Sequence, residues 1–155
     1  MTAEQIVETA ITIADSDGLI GVSIHAVAKR WRCTKMALYC YVQATDDVLS
    51  LMLDRVIGQP PPGVVDASHS RQAMPTWAQE RLAQYRAHPW SIDVPIGGPA
   101  LGRNQLLWLE CALQRLRPSP LELPQKLSLV LLRNGHVALT ATIGRPDNGY
   151  APTAL

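Results

Sequence analysis

The sequence predicts an all-α fold, on three observations. Apolar residues recur at spacings of three and four along most of its 155 positions, the signature of helices with one buried face. Ser and Thr stand just before several of these runs, where a hydroxyl can accept an orphan backbone N–H. Glycines and prolines fall where the runs end, because neither continues a helix at low cost. The pattern divides into two parts. Residues 1–58 hold a three-helix unit and a fourth, linking helix; residues 59–155 form a second helical domain.

Thr2-Ala-Glu-Gln5 is a capping-box candidate that opens the first helix, since hydroxyl and amide can satisfy each other's backbone groups. Ile6, Val7, Ala10, Ile13 and Ala14 supply its buried face, and Gly18 is the expected stop. Asp15 and Asp17 sit at the helix end that disfavours acids and are expected to face solvent. Residues 22–42 read as two short helices around a tight turn. Ser23 caps the first, whose inward stripe is Ile24, Val27, Ala28 and Trp31, with His25, Lys29 and Arg32 on the other side. Thr34 caps the second, in which Leu38 and Val42 point inward. Its first turn then presents Lys35, Met36 and Ala37, followed by Tyr39 and Tyr41, a surface suited to a major groove.

These residues resemble the TetR family of transcriptional regulators. The likeness lies in Ser23 opening one helix, Val27-Ala28 within it, the turn Trp31-Arg32-Cys33-Thr34, and the close Leu38-Tyr39-Cys40-Tyr41-Val42. It covers residues 1–58 well and the remainder loosely. Two departures stand out: Arg32 occupies the place of the turn glycine, and Thr45 that of a phosphate-contacting lysine. The resemblance implies a double-stranded DNA operator, with a contact at His25 where the family usually has Arg. Lys35, Met36 and Ala37 are the candidates for base edges. Tyr39 and Tyr41 are the candidates for phosphates, which position a helix without reading sequence.

Thr45-Asp46-Asp47 opens the linking helix, with acids in the first turn. Val48, Leu49, Met52, Leu53, Val56 and Ile57 make it apolar enough to bridge two cores. Gly58-Gln-Pro-Pro-Pro-Gly63 is placed as the domain boundary, with residues 64–70 a loop or the fray of the next helix. A helix over 77–86 carries Trp77, Leu82 and Tyr85; Pro75 either starts it or kinks a longer one. His88-Pro89-Trp90 closes it, because the residue before a proline leaves the helical region. Residues 91–98 read as loop. A helix over 99–117 and a long apolar one over 121–143 follow, separated by Pro118-Ser-Pro120. Gly135 is a weak point of the second, at about 1 kcal/mol. Residues 144–155 read as a polar, Pro- and Gly-bearing end.

Composition limits the function classes. Hydrophobic residues make up 47% and charged residues 17%, which suits a globular chain with a large buried surface. Phe is absent, so four Trp and four Tyr must anchor the cores. The net charge of +1 leaves any DNA-facing charge to local patterning. Residues 1–58 hold five Lys/Arg against seven Asp/Glu, yet residues 25–35 hold four Lys/Arg and no acid. No stretch reaches the roughly 18 apolar residues of a membrane span, and the acidic N-terminus is unlike a signal peptide. Three unpaired cysteines fit a reducing cytoplasm, with Cys33 and Cys40 as small packing residues. The four His and three Cys show no ligand spacing, and no nucleophile, phosphate-loop or dinucleotide motif occurs. Neither metal, cofactor nor catalysis is expected.

The resemblance implies a cytoplasmic, homodimeric regulator, a repressor released by a small apolar or aromatic effector. Trp77, Tyr85, Trp90 and Trp108 would surround the effector cavity, with Gln105, Arg133 and His136 as polar groups. A partner subunit is the natural cover for the long apolar helix. The alternative is an all-α adaptor with a vestigial helix-turn-helix, favoured by the acidic balance, Arg32 and Thr45.

Overall fold

A computed structural model describes residues 2–40, 45–65, 73–94 and 102–143. All regular elements among them are helical. The expectations for Tyr41, Val42, residues 66–70, residues 95–98 and residues 144–155 lie outside the described residues.

Helix α1 (Ala3–Asp17) begins with the capping box: Thr2 Oγ1 accepts the Gln5 N–H at 3.3 Å, and Gln5 Oε1 accepts the Thr2 N–H at 3.0 Å. Its buried stripe is Ile6, Val7, Ala10, Ile11, Ile13 and Ala14. Gly18 ends it at φ 73°, a left-handed backbone that glycine enters without a Cβ clash. A single 3₁₀ turn (Leu19–Gly21) leads into α2 (Ile24–Arg30) and then α3 (Lys35–Tyr39). The two hydroxyl caps form as expected, Ser23 Oγ accepting from Ala26 N–H at 3.0 Å and Thr34 Oγ1 from Ala37 N–H at 3.3 Å. Ile24, Val27, Ala28 and Leu38 are buried against α1. Trp31 is half-buried, and its indole N–H donates to Thr9 Oγ1 of α1 at 2.8 Å. Cys33 packs at the edge of this core, whereas Cys40, expected to pack, is exposed.

Helix α4 (Thr45–Ile57) bridges two cores. Val48 and Met52 are buried in the first; Ile57, one and a half turns on, is buried in the second. Gly58 (φ 60°) stops it. The proline run is not wholly extended, because its third proline starts a one-turn helix, α5 (Pro62–Val65). Proline suits a first helical position, where its missing N–H has no partner to lose. Val64, expected in a loop or the fray of the next helix, is fully buried there.

Helix α6 (Ala73–Ala87) takes Pro75 in its first turn and ends before His88-Pro89, which opens a 3₁₀ turn over Pro89–Ile92. Helices α7 (Arg103–Arg115) and α8 (Leu123–Thr142) are separated by the predicted Pro118–Pro120 break, and α8 runs through Gly135 unbroken. Trp77, Tyr85, Trp108, Val130 and Val137 form the second core with Ile57 and Val64. Trp77 and Trp108 meet edge to face at 6.0 Å between ring centroids. The Trp77 indole donates to Trp108 O at 3.1 Å, and the Trp108 indole to Gly58 O at 3.0 Å.

One sequence expectation is corrected here. Trp90 packs in the first core with the α1 stripe, apart from Trp77, Tyr85 and Trp108. Asp15 lies within α1 and is exposed as expected, with its carboxylate also engaged by Trp90 and His88. Helix α8 buries Val130, Val137 and Ala141, yet Leu129, Leu131, Leu132 and Leu139 remain exposed. Among the described residues one face of α8 is uncovered.

Candidate DNA interface and effector region

The α2–α3 unit sets a short, capped helix on a packed support. Thr34 holds the first turn of α3, and buried Leu38 fixes its rotation. That rotation leaves Lys35 exposed and Met36 75% exposed; Ala37 is half-buried. Ser23 and Thr34 spend their hydroxyls as caps, so they position these helices directly. His25, Lys29, Arg30 and Arg32 are exposed on α2 and the turn, giving a local cationic strip beside α3. Arg32 adopts φ 51°, the left-handed conformation that explains why glycine suits this place. Tyr41 and the side chain of Tyr39 lie outside what is described. An open cleft of about 470 Å³ behind the turn is lined by Glu8, Thr9, Thr12, Arg30, Trp31 and Arg32.

The aromatic residues expected around a cavity are instead core. Trp77, Tyr85 and Trp108 are each nine-tenths or more buried and pack on one another's elements. Arg133 and His136 do line an indentation, a groove of about 210 Å³ between α6 and α8, together with Pro75, Ala78, Leu82 and Val137. Gln105 is placed elsewhere, where its backbone N–H, with that of Asn104, bonds Asp54 Oδ1 of α4 at 3.1 and 2.8 Å. Asp54 is thus a tertiary cap for α7. A Cβ on Gly102 would lie 2.1 Å from this carboxylate, so the approach requires glycine.

Sequence reading missed Arg81. It stands at the centre of the α6 stripe Trp77-Arg81-Tyr85, at i, i+4 and i+8, and is 6% exposed. A cation at a core position of such a stripe was the available signal. Its Nη2 donates to Tyr85 Oη at 2.8 Å and its Nη1 to Gln84 Oε1 at 2.9 Å; Asn134 Oδ1 of α8 lies 3.4 Å away. The guanidinium also faces the Tyr85 ring at 4.7 Å and the Trp108 ring at 5.7 Å, a favourable placement for a cation. Burial pushes its pKa below the usual arginine value, opposed by the charge and hydrogen bond of Tyr85. Gln84 continues the chain, donating Nε2–H to Ile57 O at the end of α4. The hydrogen bonds therefore run from the second core to the linking helix.

Two packed cores, a linking helix and a capped two-helix unit with an exposed first turn define a helix-turn-helix protein. The solved structures of similar shape specify the kind. ActR from Streptomyces coelicolor, crystallised in complex with (S)-DNPA, superposes with a TM-score of 0.73 at 24% identity, over 91% of this chain and 70% of ActR. A possible TetR-family transcriptional regulator from Streptomyces coelicolor A3(2) gives 0.75 at 22% identity, over 97% and 76%. BioQ, crystallised with its double-stranded DNA operator, gives 0.64 at 12% identity, over 92% and 88%. The chain has the TetR-family fold. In sequence it is 37% identical over 139 residues to the HTH-type transcriptional repressor DrrR1 of Streptomyces coeruleorubidus, covering 88% of this chain and 51% of that protein. It is 30% identical over 117 residues to an HTH-type transcriptional regulator of Saccharopolyspora erythraea, covering 72% and 50%. The chain thus spans about half the length of the curated relatives it matches. No protein-family model matches it. Among the described residues no helix is long and apolar enough to cross a membrane.

Proposed function

We propose that the chain is a TetR-family transcriptional regulator: a cytoplasmic, homodimeric repressor that binds a pseudo-palindromic DNA operator and is released by a small effector. The observation that carries this reading is the α2–α3 unit, whose two hydroxyl caps and buried Leu38 aim Lys35 and Met36 outward beside an acid-free cationic strip. Lys35 donates to guanine and Met36 and Ala37 meet a thymine methyl. Tyr39 and Tyr41 act on the backbone, and His25 contacts a base or a phosphate. Residues 1–58 form the DNA-binding domain and residues 59–155 the effector and dimerisation domain. The likeness to DrrR1 and to the DNA-bound BioQ supports the reading, and the exposed leucines of α8 supply a face for a second subunit.

The test is titration of the chain against DNA flanking its own gene at several salt concentrations. A specific complex whose affinity falls steeply with salt is expected, because each neutralised phosphate releases counterions. Salt-independent or absent binding would favour an all-α adaptor built on the same fold.

A further inference from the structure

We infer that the seam between α6 and α8 binds an aromatic carboxylate, with Arg133 and Arg81 as the groups that select the negative charge. This rests on the reading of the chain as an effector-controlled regulator and specifies the effector's chemistry.

Three observations point to an anion. The groove between these helices presents two basic side chains, Arg133 and His136, and no acid among its lining residues. The Nε of Arg133 is buried and has no hydrogen-bond partner among the described residues. A buried donor left unpaired costs free energy that an incoming acceptor recovers. Arg81 lies on α6 between Ala78 and Leu82, both of which line the groove, and reaches across to Asn134, the neighbour of Arg133 on α8. Its hydrogen-bond partners among the described residues are all neutral: a phenol, and two side-chain amide oxygens. A buried guanidinium normally pairs with a carboxylate; here the chain supplies none among the described residues.

The apolar wall fixes the other half of the ligand. Pro75, Ala78, Leu82 and Val137 offer flat hydrocarbon surface, and a volume of about 210 Å³ suits one or two fused rings. A carboxylate on such a ring system pairs with the Arg133 guanidinium that lines the groove, next along α8 to Asn134, the partner of Arg81. Neutral aromatics gain the wall but offer Arg133 at most an uncharged acceptor. Cationic aromatics gain the wall against two like charges.

The experiment is calorimetric titration of the full chain with 2-naphthoate and with its neutral isostere 2-naphthamide. The acid should bind about tenfold more tightly, the difference between a charge-assisted and a neutral hydrogen bond. Arg133→Gln, at a half-buried position that need not disturb the core, should bring the two probes within about twofold. Asn134→Asp gives Arg81 a carboxylate from the chain itself and should also reduce the preference for the acid. Equal binding of the two probes, no binding of either, or an acid preference unchanged in both variants would overturn the inference. DNA titration of the same preparations separates the two readings. Specific DNA binding without acid preference removes the site and leaves the regulator, whereas acid preference without DNA binding does the reverse.

Discussion

Asp15 Oδ1 accepts the indole N–H of Trp90 at 2.7 Å, joining the last turn of α1 to the segment that follows α6, 75 residues later. His88 Nδ1 meets the same oxygen at 2.9 Å. The Trp90 ring is buried at 2% exposure in the first core, and Asp15 Oδ1 is the acceptor its N–H meets among the described residues. The bond makes α1 the support on which both the α2–α3 unit and the 3₁₀ turn after α6 rest.

Asp15→Ala should therefore lower stability by about 1–3 kcal/mol, the cost of a buried donor left unsatisfied. Asp15→Asn retains a carbonyl oxygen and should lose less. Urea unfolding followed by tryptophan fluorescence measures both. Equal midpoints for Asp15→Ala and the parent chain would show that Trp90 finds another acceptor.

The turn between α2 and α3 yields the second expectation. Arg32 holds φ 51° with an exposed side chain, and a non-glycine residue there costs roughly 1–2 kcal/mol. Glycine removes that strain and adds unfolded-state entropy worth about 0.4–1 kcal/mol. Arg32→Gly should leave the melting temperature unchanged or raise it by a few degrees, and Arg32→Val should lower it. A clear loss in Arg32→Gly would mean that the arginine side chain itself contributes to folding.

Much of this unit was legible in the sequence because its signals are local. The hydroxyls of Thr2, Ser23 and Thr34 act within three residues of themselves, and each cap forms as read. The α1 stripe and the two-core character of α4 follow from helical period alone. Relationships across the chain were not legible. Nothing near Asp15 announces Trp90, and nothing near Asp54 announces the start of α7. The four aromatic residues were grouped by type, but geometry divides them: the 3₁₀ turn after α6 swings Trp90 back onto α1, whereas Trp77, Tyr85 and Trp108 stay with α8. Arg81 was overlooked because a single cation in an apolar stripe reads as a surface residue until its neighbours are known.

For the DNA interface, Lys35→Ala should lower specific affinity by about 1–3 kcal/mol, or roughly 5- to 150-fold, while leaving the fold intact. The motive is the exposure of Lys35 and Met36 in the first turn of α3 above a buried Leu38. Ala37→Glu places a carboxylate against the DNA backbone and should remove specific binding altogether. Gel-shift titration with circular dichroism as the folding control decides the matter. Undiminished affinity in both variants would move the interface away from α3.

The final prediction concerns how an occupied α6–α8 seam would reach the DNA-binding unit. Gln84 holds Arg81 Nη1 through Oε1 at 2.9 Å and the carbonyl of Ile57 through Nε2, so one side chain connects the buried cation to the end of α4. Asp54 grips α7 from the same end of α4, and Trp108 holds Gly58. An anion that draws Arg81 toward the groove competes with Gln84 for the guanidinium and loosens α4 at its C-terminal turn. Gln84→Leu keeps the volume and removes both hydrogen bonds. It should leave ligand affinity in the absence of DNA unchanged or higher, because the competitor for the Arg81 guanidinium is gone, and should erase the effect of ligand on DNA affinity. Coupling of this kind ordinarily amounts to about 1–3 kcal/mol, or 5- to 150-fold, and is reciprocal. Titrations of 2-naphthoate with and without saturating operator DNA read it directly. In the parent chain the two affinities should differ by the factor by which ligand weakens DNA binding; in Gln84→Leu they should coincide. Coupling that survives in the variant would route the signal through Asp54 and α7 instead.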